Sequence, residues 1–240
     1  MIKSAIVSKF LAKTVAGFSK NSIREKFASY FYNIKVDIAY DENTIDRNVK
    51  VISSPLGFNI SKTDILEKNP FLYYKNENQE IYNFLCNDKK NIIFVVGSTW
   101  ESRNYPKEKF VEIANRLKQN CIVIWGNKDE KEKADYIEKN SIYAKSMIKC
   151  DLNSLKALIS KCDLLIGNDT GPTHMAWALN IPSITIFGPT PINRVYETSI
   201  NKVIKSASLV NHYKLDKNDF SIREIESKEI VKMAGNLLDR

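Results

Sequence analysis

Three polar side chains of different chemistry, Asp169, Thr170 and His174, crowd into the short segment Gly167-Asn168-Asp169-Thr170-Gly171-Pro172-Thr173-His174. The apolar run Leu164-Leu165-Ile166 precedes it, and a second run, Ser183-Ile184-Thr185-Ile186-Phe187, follows. This order reads as strand, tight turn, helix, strand. Asp169 or Thr170 is the natural N-cap, and Pro172 suits a first helical turn, where its missing N–H would be unpaired anyway. Open amides at a helix start attract anions, so the spacing predicts a phosphate or diphosphate over residues 170–174. A capped turn with nothing bound produces the same local pattern, and the rest of the chain has to separate the two.

The loops that follow other predicted strands carry matching chemistry. They are Gly97-Ser98-Thr99-Trp100-Glu101-Ser102-Arg103-Asn104-Tyr105-Pro106, Gly126-Asn127-Lys128-Asp129-Glu130, and Gly188 to Arg194. Hydroxyls, a guanidinium fork for phosphate oxygens and a carboxylate for ribose hydroxyls suit a nucleoside diphosphate. What the chain lacks narrows the chemistry further. It has no Gly-x-Gly, no Gly-Lys-Ser/Thr and no Gly-x-Ser-x-Gly. The dinucleotide fingerprint, the P-loop and the hydrolase elbow therefore fall away. No Asp-x-Asp is present to hold a metal against a diphosphate, and two histidines are few for a His-based metal centre. A nucleotide-sugar site made of helix amides and a basic side chain, with no cofactor and no metal, survives these tests.

The elements that must position these loops alternate regularly from about residue 76. Helix 77–86 precedes a strand over 92–96, Pro106 opens a helix to about 119, and a strand over 121–125 ends at Gly126. Helix 129–139, a short strand at 142–144 and a helix from its cap Asp151 to Lys161 lead into the strand at 164–166. Strands alternating with helices at this spacing imply a parallel, doubly wound sheet. Before it, the sequence predicts a helix over 3–12 and a short strand over 14–18. Ser22 then caps a helix over 23–32 with Glu25 as its capping-box partner, and a helix over 43–52 is ended by Pro55 and Gly57. A strand-like stretch at 71–74 closes a segment without sustained period. The domains so predicted are 1–75, an incomplete α/β layer, 76–225, a complete one, and an amphipathic last helix within 226–240.

Composition sets the outer bounds. The chain has 240 residues, 43% of them hydrophobic, which is ordinary for a domain with a real core. No apolar run approaches the roughly 20 residues that span a bilayer, and Lys9 and Lys13 interrupt the only stretch resembling a signal peptide. Cys86, Cys121, Cys150 and Cys162 have no Cys-x-x-Cys spacing and read as reduced thiols of a cytoplasmic protein. Net charge is +8, and residues 1–60 hold nine Lys/Arg against five Asp/Glu. Solvated helix faces account for such a bias, or an anionic partner does. Nucleic acid is disfavoured because acids interleave the lysines and no binding motif occurs.

At this point the residues carry a resemblance. Gly167-Asn-Asp-Thr-Gly171 with His174, followed by Ile184-Thr-Ile-Phe-Gly-Pro-Thr190, resembles the donor-site signature of the ADP-heptose:lipopolysaccharide heptosyltransferases, glycosyltransferase family 9. Ser22-Ile-Arg-Glu-Lys-Phe-Ala-Ser-Tyr-Phe-Tyr-Asn33 is similar to a segment of the heptosyltransferase I branch of that family. The resemblance implies a GT-B fold, with two Rossmann-like domains and the donor nucleotide mainly in the C-terminal one. It implies inverting transfer of heptose from ADP-heptose, without a nucleotide-binding metal, to the inner Kdo of Kdo2-lipid A. The enzyme would be a monomer, peripheral to the cytoplasmic face of the inner membrane.

Carried over by position, Asp169, Thr170, Gly171 and His174 would hold the diphosphate, joined by Ser98 and Thr99. Arg103 stands where the family usually has lysine, which keeps the charge and changes its geometry. Glu130 matches the carboxylate on the adenosine ribose, and Cys150 falls where a methionine often lies against the adenine. The family's catalytic aspartate lies in a Gly-rich first loop, and its Asp-x-Gln-Gly-Leu segment directly precedes the position of Lys3-Ser4-Ala5, so both would lie upstream of Met1 and no catalytic residue is assigned. A chain that holds ADP but transfers poorly by itself is the resulting expectation. The alternatives are a non-catalytic nucleotide-sugar-binding remnant, or a sister transferase such as heptosyltransferase II. His174 as a core histidine, and Arg103 and Glu130 as surface charges, are the plainer readings of those residues.

Overall fold

Where the second half of the sequence shows an uninterrupted apolar run, the structure places a strand buried on both faces. The structure is a computed structural model that describes residues 2–239. The chain divides into two compact units: one of residues up to Lys68 with Asn193–Tyr196 and Asn211–Lys214, the other of Asn69–Ile192, Glu197–Val210 and the chain from Leu215 on.

The first unit contains α1 (Ile2–Leu11), β1 (Ala16–Phe18), β2 (Ile34–Val36), α2 (Thr44–Leu56) and α3 (Lys62–Leu66). β1 and β2 pair in parallel, with Ala16 opposite Ile34. Ala5, Ile23 and Ala28 form a small core with Phe18, Phe31 and Tyr32 around it. Arg47, buried on α2, donates to the carbonyls of Ala39 and Ser22, and its guanidinium lies 4.6 Å from the Phe18 ring centroid. The predicted helix over 23–32 is instead a 3-10 segment, Lys26–Phe31. Ser22 does not cap it, because its hydroxyl accepts from the Ile38 N–H at 2.9 Å, and Glu25 accepts from the Ile2 N–H at 2.7 Å. A tertiary partner displaced each local cap. Pro55 does not end α2 either, since it lies in the last turn and Gly57, at φ +73°, makes the left-handed C-cap.

The second unit contains β3 (Asn91–Val95), α4 (Lys107–Leu117), β4 (Asn120–Ile124), α5 (Lys128–Asn140), β5 (Ala144–Ser146) and α6 (Leu152–Ile159). It continues with β6 (Leu164–Asn168), α7 (Gly171–Ala178), β7 (Ser183–Phe187), β8 (Asn201–Lys205) and α8 (Ser227–Leu238). The sheet order is β5-β4-β3-β6-β7-β8, all parallel. Ile92 and Phe94 face α4, α5 and α8 through Phe110, Ile113, Ile137 and Ile230. Ile93 and Val95 face α6 and α7 through Leu155, Leu158 and Ala176. This is the predicted doubly wound α/β layer.

Three details of this unit differ from the prediction. Residues 71–74 make no strand; they run extended across α6 and α7, with the Phe71 N–H donating to Ala178 and the Phe71 ring edge-on to Trp177. Their aromatic side chains cover helices, so an alternation that mimics a strand has no ladder to join. Helix 77–86 shortens to a 3-10 segment, Gln79–Phe84. The sequence does not predict β8, because Asn-Lys-Val-Ile-Lys is a short edge strand with only two apolar residues, and its Asn201 is buried by hydrogen bonds to Ile181 and Ser183.

Candidate functional site

The sheet reverses its order between β3 and β6, and in open parallel sheets ligands bind in the crevice outside the strand ends at that point. The loop after β3 carries Gly97, Ser98, Thr99 and Arg103, and the end of β6 carries Asp169 and Thr170. A cleft of about 340 Å³ opens there, lined by Ser98, Thr99, Glu130, Cys150 and Thr170 among others. Four separate stretches of sequence thus meet at one place. Gly171 sits exposed at the start of α7, next to Thr170.

α7 presents its N-terminus to this cleft through Thr170 and Pro172. Thr170 is the N-cap, and its N–H donates to the Thr173 hydroxyl at 3.2 Å. Pro172 in the first turn contributes no N–H, as predicted for that position. The hydroxyl of Ser98 is buried and has no hydrogen-bond partner among the described residues.

Glu130 is ordered by its own turn. Asn127 caps α5 by accepting from the Glu130 N–H at 3.0 Å, and the Glu130 carboxylate accepts from the Gly126 N–H at 2.7 Å. It lies so close over Gly97 that a Cβ there would come 2.1 Å from Oε1. A methyl group at 97 would therefore have to push the Glu130 carboxylate aside. Burial raises the Cys150 thiol, with Asp151 adding to the shift, so it meets the cleft as a neutral, polarisable wall. Ile124, Leu152 and Leu155 continue that wall. The sequence singles out none of these three, because an apolar side chain at a strand end or on a helix carries no chemical signature of its own.

The remaining predicted residues form an ion-paired group beside Thr99. Arg103 donates through Nη2 to the Asp169 backbone carbonyl and to Oδ2 at 2.8 Å, and through Nη1 to the Thr99 hydroxyl at 3.4 Å. His174, one turn into α7 and half-exposed, holds Nε2 3.2 Å from Asp169 Oδ1. The Asp169 side chain is 4% exposed. Asp169, buried, and Arg103, its side chain 12% exposed, are thus paired with each other, with His174 half-exposed beside them. Among the described residues, no group of three or more His, Cys, Asp or Glu is placed to hold a metal ion.

The model of glycosyltransferase family 9 (heptosyltransferase) matches residues 1–221. Lipopolysaccharide heptosyltransferase 1 of Campylobacter coli is 38% identical over 251 residues, covering 99% of this chain and 73% of that protein. The protein of the same name from Escherichia coli K12 is 27% identical over 196 residues, covering 79% of this chain and 59% of its own length. Among solved structures, E. coli heptosyltransferase WaaC with ADP-2-deoxy-2-fluoro heptose superposes with a TM-score of 0.72 at 22% identity, covering 98% of this chain and 69% of that one. At that identity the superposition speaks for the fold, which is of the GT-B type.

Proposed function

The chain belongs to glycosyltransferase family 9, and from that premise we propose that it serves heptose transfer from ADP-heptose to the inner Kdo of Kdo2-lipid A. The observation that carries this reading is the convergence of Ser98, Thr99, Glu130, Cys150 and Thr170 on one cleft at the sheet's switch point. Cys150, Leu152 and Leu155 are the walls for the adenine, and the Glu130 carboxylate accepts from the ribose hydroxyls. The diphosphate lies over Gly171 at the start of α7, within reach of Ser98 and Thr99. Negative charge grows on that diphosphate as the glycosidic bond breaks. Preorganised amides of α7 and the Arg103 guanidinium stabilise it there, an effect commonly worth two to three powers of ten, roughly 10²–10³ per donor.

A second reading, ADP binding without transfer, has one observation in its favour. Both carboxylates at the cleft are already engaged, Asp169 by Arg103 and His174, and Glu130 by Gly126. Neither is placed as the base for an incoming hydroxyl.

The acceptor reading adds a membrane surface. Residues 1–36 hold seven Lys/Arg and one acid, and Phe10, Leu11, Phe27 and Tyr30 of that stretch are exposed. Cations around exposed apolar side chains suit an anionic bilayer, at about 1 kcal/mol per cation near the surface. Among the described residues, no helix is long and apolar enough to cross a membrane. The chain would then act at the cytoplasmic face of the inner membrane, as a monomer.

The test is calorimetric titration of the purified chain with ADP, followed by an assay of ADP release from ADP-heptose in the presence of Kdo2-lipid A. Binding with acceptor-dependent release supports transfer. Binding without release selects the second reading, and no binding overturns both.

A further inference from the structure

The first turn of α5 holds one carboxylate at both of its oxygens. Asn127, the N-cap of α5, accepts from the Glu130 N–H at 3.0 Å, and its Nδ2 donates back to Glu130 Oε1 at 2.9 Å. The Gly126 N–H donates to Oε2 at 2.7 Å. An ordinary capping box ends differently, because there the carboxylate accepts from the backbone N–H of the cap itself. Here it reaches one residue further, to Gly126, and takes the cap's own amide as a second donor. Gly97, Gly126, Asn127 and Glu130 all line the cleft. A carboxylate offers about four acceptor positions. One donor on each oxygen leaves each a further position, and Glu130 is itself a wall of the cleft, so a ligand there can use them.

Capping needs only the side-chain oxygen of residue 127, which serine or aspartate would supply as well. The Asn127 nitrogen is surplus to the cap, and its partner is the carboxylate. We propose that Asn127 is a positioning residue whose Nδ2 holds the Glu130 carboxylate in the orientation that receives the ribose hydroxyls of the donor. This rests on the reading of the cleft as an ADP site with Glu130 on the ribose. A carboxylate ordered before the ligand arrives loses no rotational freedom at the binding step, whereas a loose one does. Asparagine at 127 therefore does two separable things, one for the helix and one for the ligand.

The experiment separates them by calorimetric titration with ADP and with its dideoxy analogue, which lacks both ribose hydroxyls. Asn127→Ser, Asn127→Asp, Glu130→Gln and the double variant Asn127→Ser/Glu130→Gln are compared with the parent chain. Serine and aspartate both keep the capping oxygen, so the melting midpoints of the two Asn127 variants should match the parent's. Positioning predicts that Asn127→Ser weakens ADP about fivefold, the scale of one side chain ordered during binding, and leaves the dideoxy analogue unchanged. Asn127→Asp replaces the donor by a like charge, and it should cost ADP about tenfold more affinity than it costs the analogue. The double variant should bind ADP no worse than Glu130→Gln alone, since residues in contact couple.

Unchanged ADP affinity in Asn127→Ser, beside a loss in Glu130→Gln, overturns the positioning role and leaves Glu130 on the ribose. Additive losses overturn it too, as do equal losses for ADP and the dideoxy analogue, since the ribose is then not what Asn127 serves. A lowered melting midpoint in Asn127→Ser shifts the decision to Asn127→Asp, where equal losses for the two probes overturn the proposal. No effect of Glu130→Gln on ADP, or no ADP binding by the parent chain, overturns the site reading instead, and the proposal with it.

Discussion

At the scale of single residues, the cleft is assembled from groups whose first partners are local. Glu130 closes its own helix turn onto Gly126 before any ligand arrives, which orders the carboxylate at no cost to the binding step. Glu130→Gln should weaken ADP roughly tenfold, the usual scale for a hydrogen bond to a charged group, measured by calorimetry. An unchanged affinity would remove Glu130 from the ribose. Gly97→Ala places a methyl group 2.1 Å from the present position of Oε1 and displaces the carboxylate, so it should reproduce the Glu130→Gln loss without touching the carboxylate's chemistry. Full retention of ADP binding in that variant would show the approach of loop and helix to be incidental.

The scale of elements explains why the loops hold still. Phe110 on α4 packs against Phe94 of β3 at 5.2 Å and edge-on to Tyr105 at 5.5 Å between ring centroids. That contact ties the end of the Arg103 loop to the sheet, and Phe110→Ala should cost about 3–5 kcal/mol in urea unfolding. A loss below about 1 kcal/mol would contradict the burial argument. Tyr105 OH and Lys109 Nζ both donate to the Ile225 carbonyl, at 2.8 and 2.7 Å, pinning the chain just before α8 against α4. Asp151 caps α6 by accepting from the Ser154 N–H at 2.7 Å, and that bond holds its carboxyl below the usual carboxylate value. The folded state therefore favours the ionised form. The cap's contribution is complete above the unfolded carboxylate pKa and disappears as pH falls through the lower folded value. Unfolding midpoints of the parent and Asp151→Asn should differ near neutral pH and converge in acid; a constant difference would rule the charge out.

At the scale of the molecule, the three tryptophans, Trp100, Trp125 and Trp177, all belong to the second unit. Their fluorescence therefore reports the unit that carries the cleft. ADP at about 100 times its dissociation constant adds about 2.7 kcal/mol to that unit's stability, so the fluorescence-detected melting temperature should rise with ADP and not with adenine alone at equal concentration. No shift at saturating ADP would separate the cleft from the nucleotide.

The sequence by itself determined the four central strands of the second unit. Strands buried on both faces need continuous apolar runs, and turns after them need glycine, so β3, β4, β6 and β7 and the loops they carry are written locally. The family was legible for the same reason, since Gly167 to His174 is one contiguous stretch running from the end of β6 into α7. Tertiary structure decided the rest. Ser22 and Glu25 found partners at Ile38 and Ile2 instead of capping a helix, the stretch at 71–74 covered helices instead of joining a sheet, and β8 lay hidden under an edge strand's polarity. Asp169 is the sharpest case. Its neighbours in sequence say only that a carboxylate stands at a helix mouth; Arg103, 66 residues away, determines that the carboxylate faces a guanidinium. Hydrogen bonds and ion pairs depend on which groups meet in space, and spacing along the chain carries that information only where both partners lie in one turn.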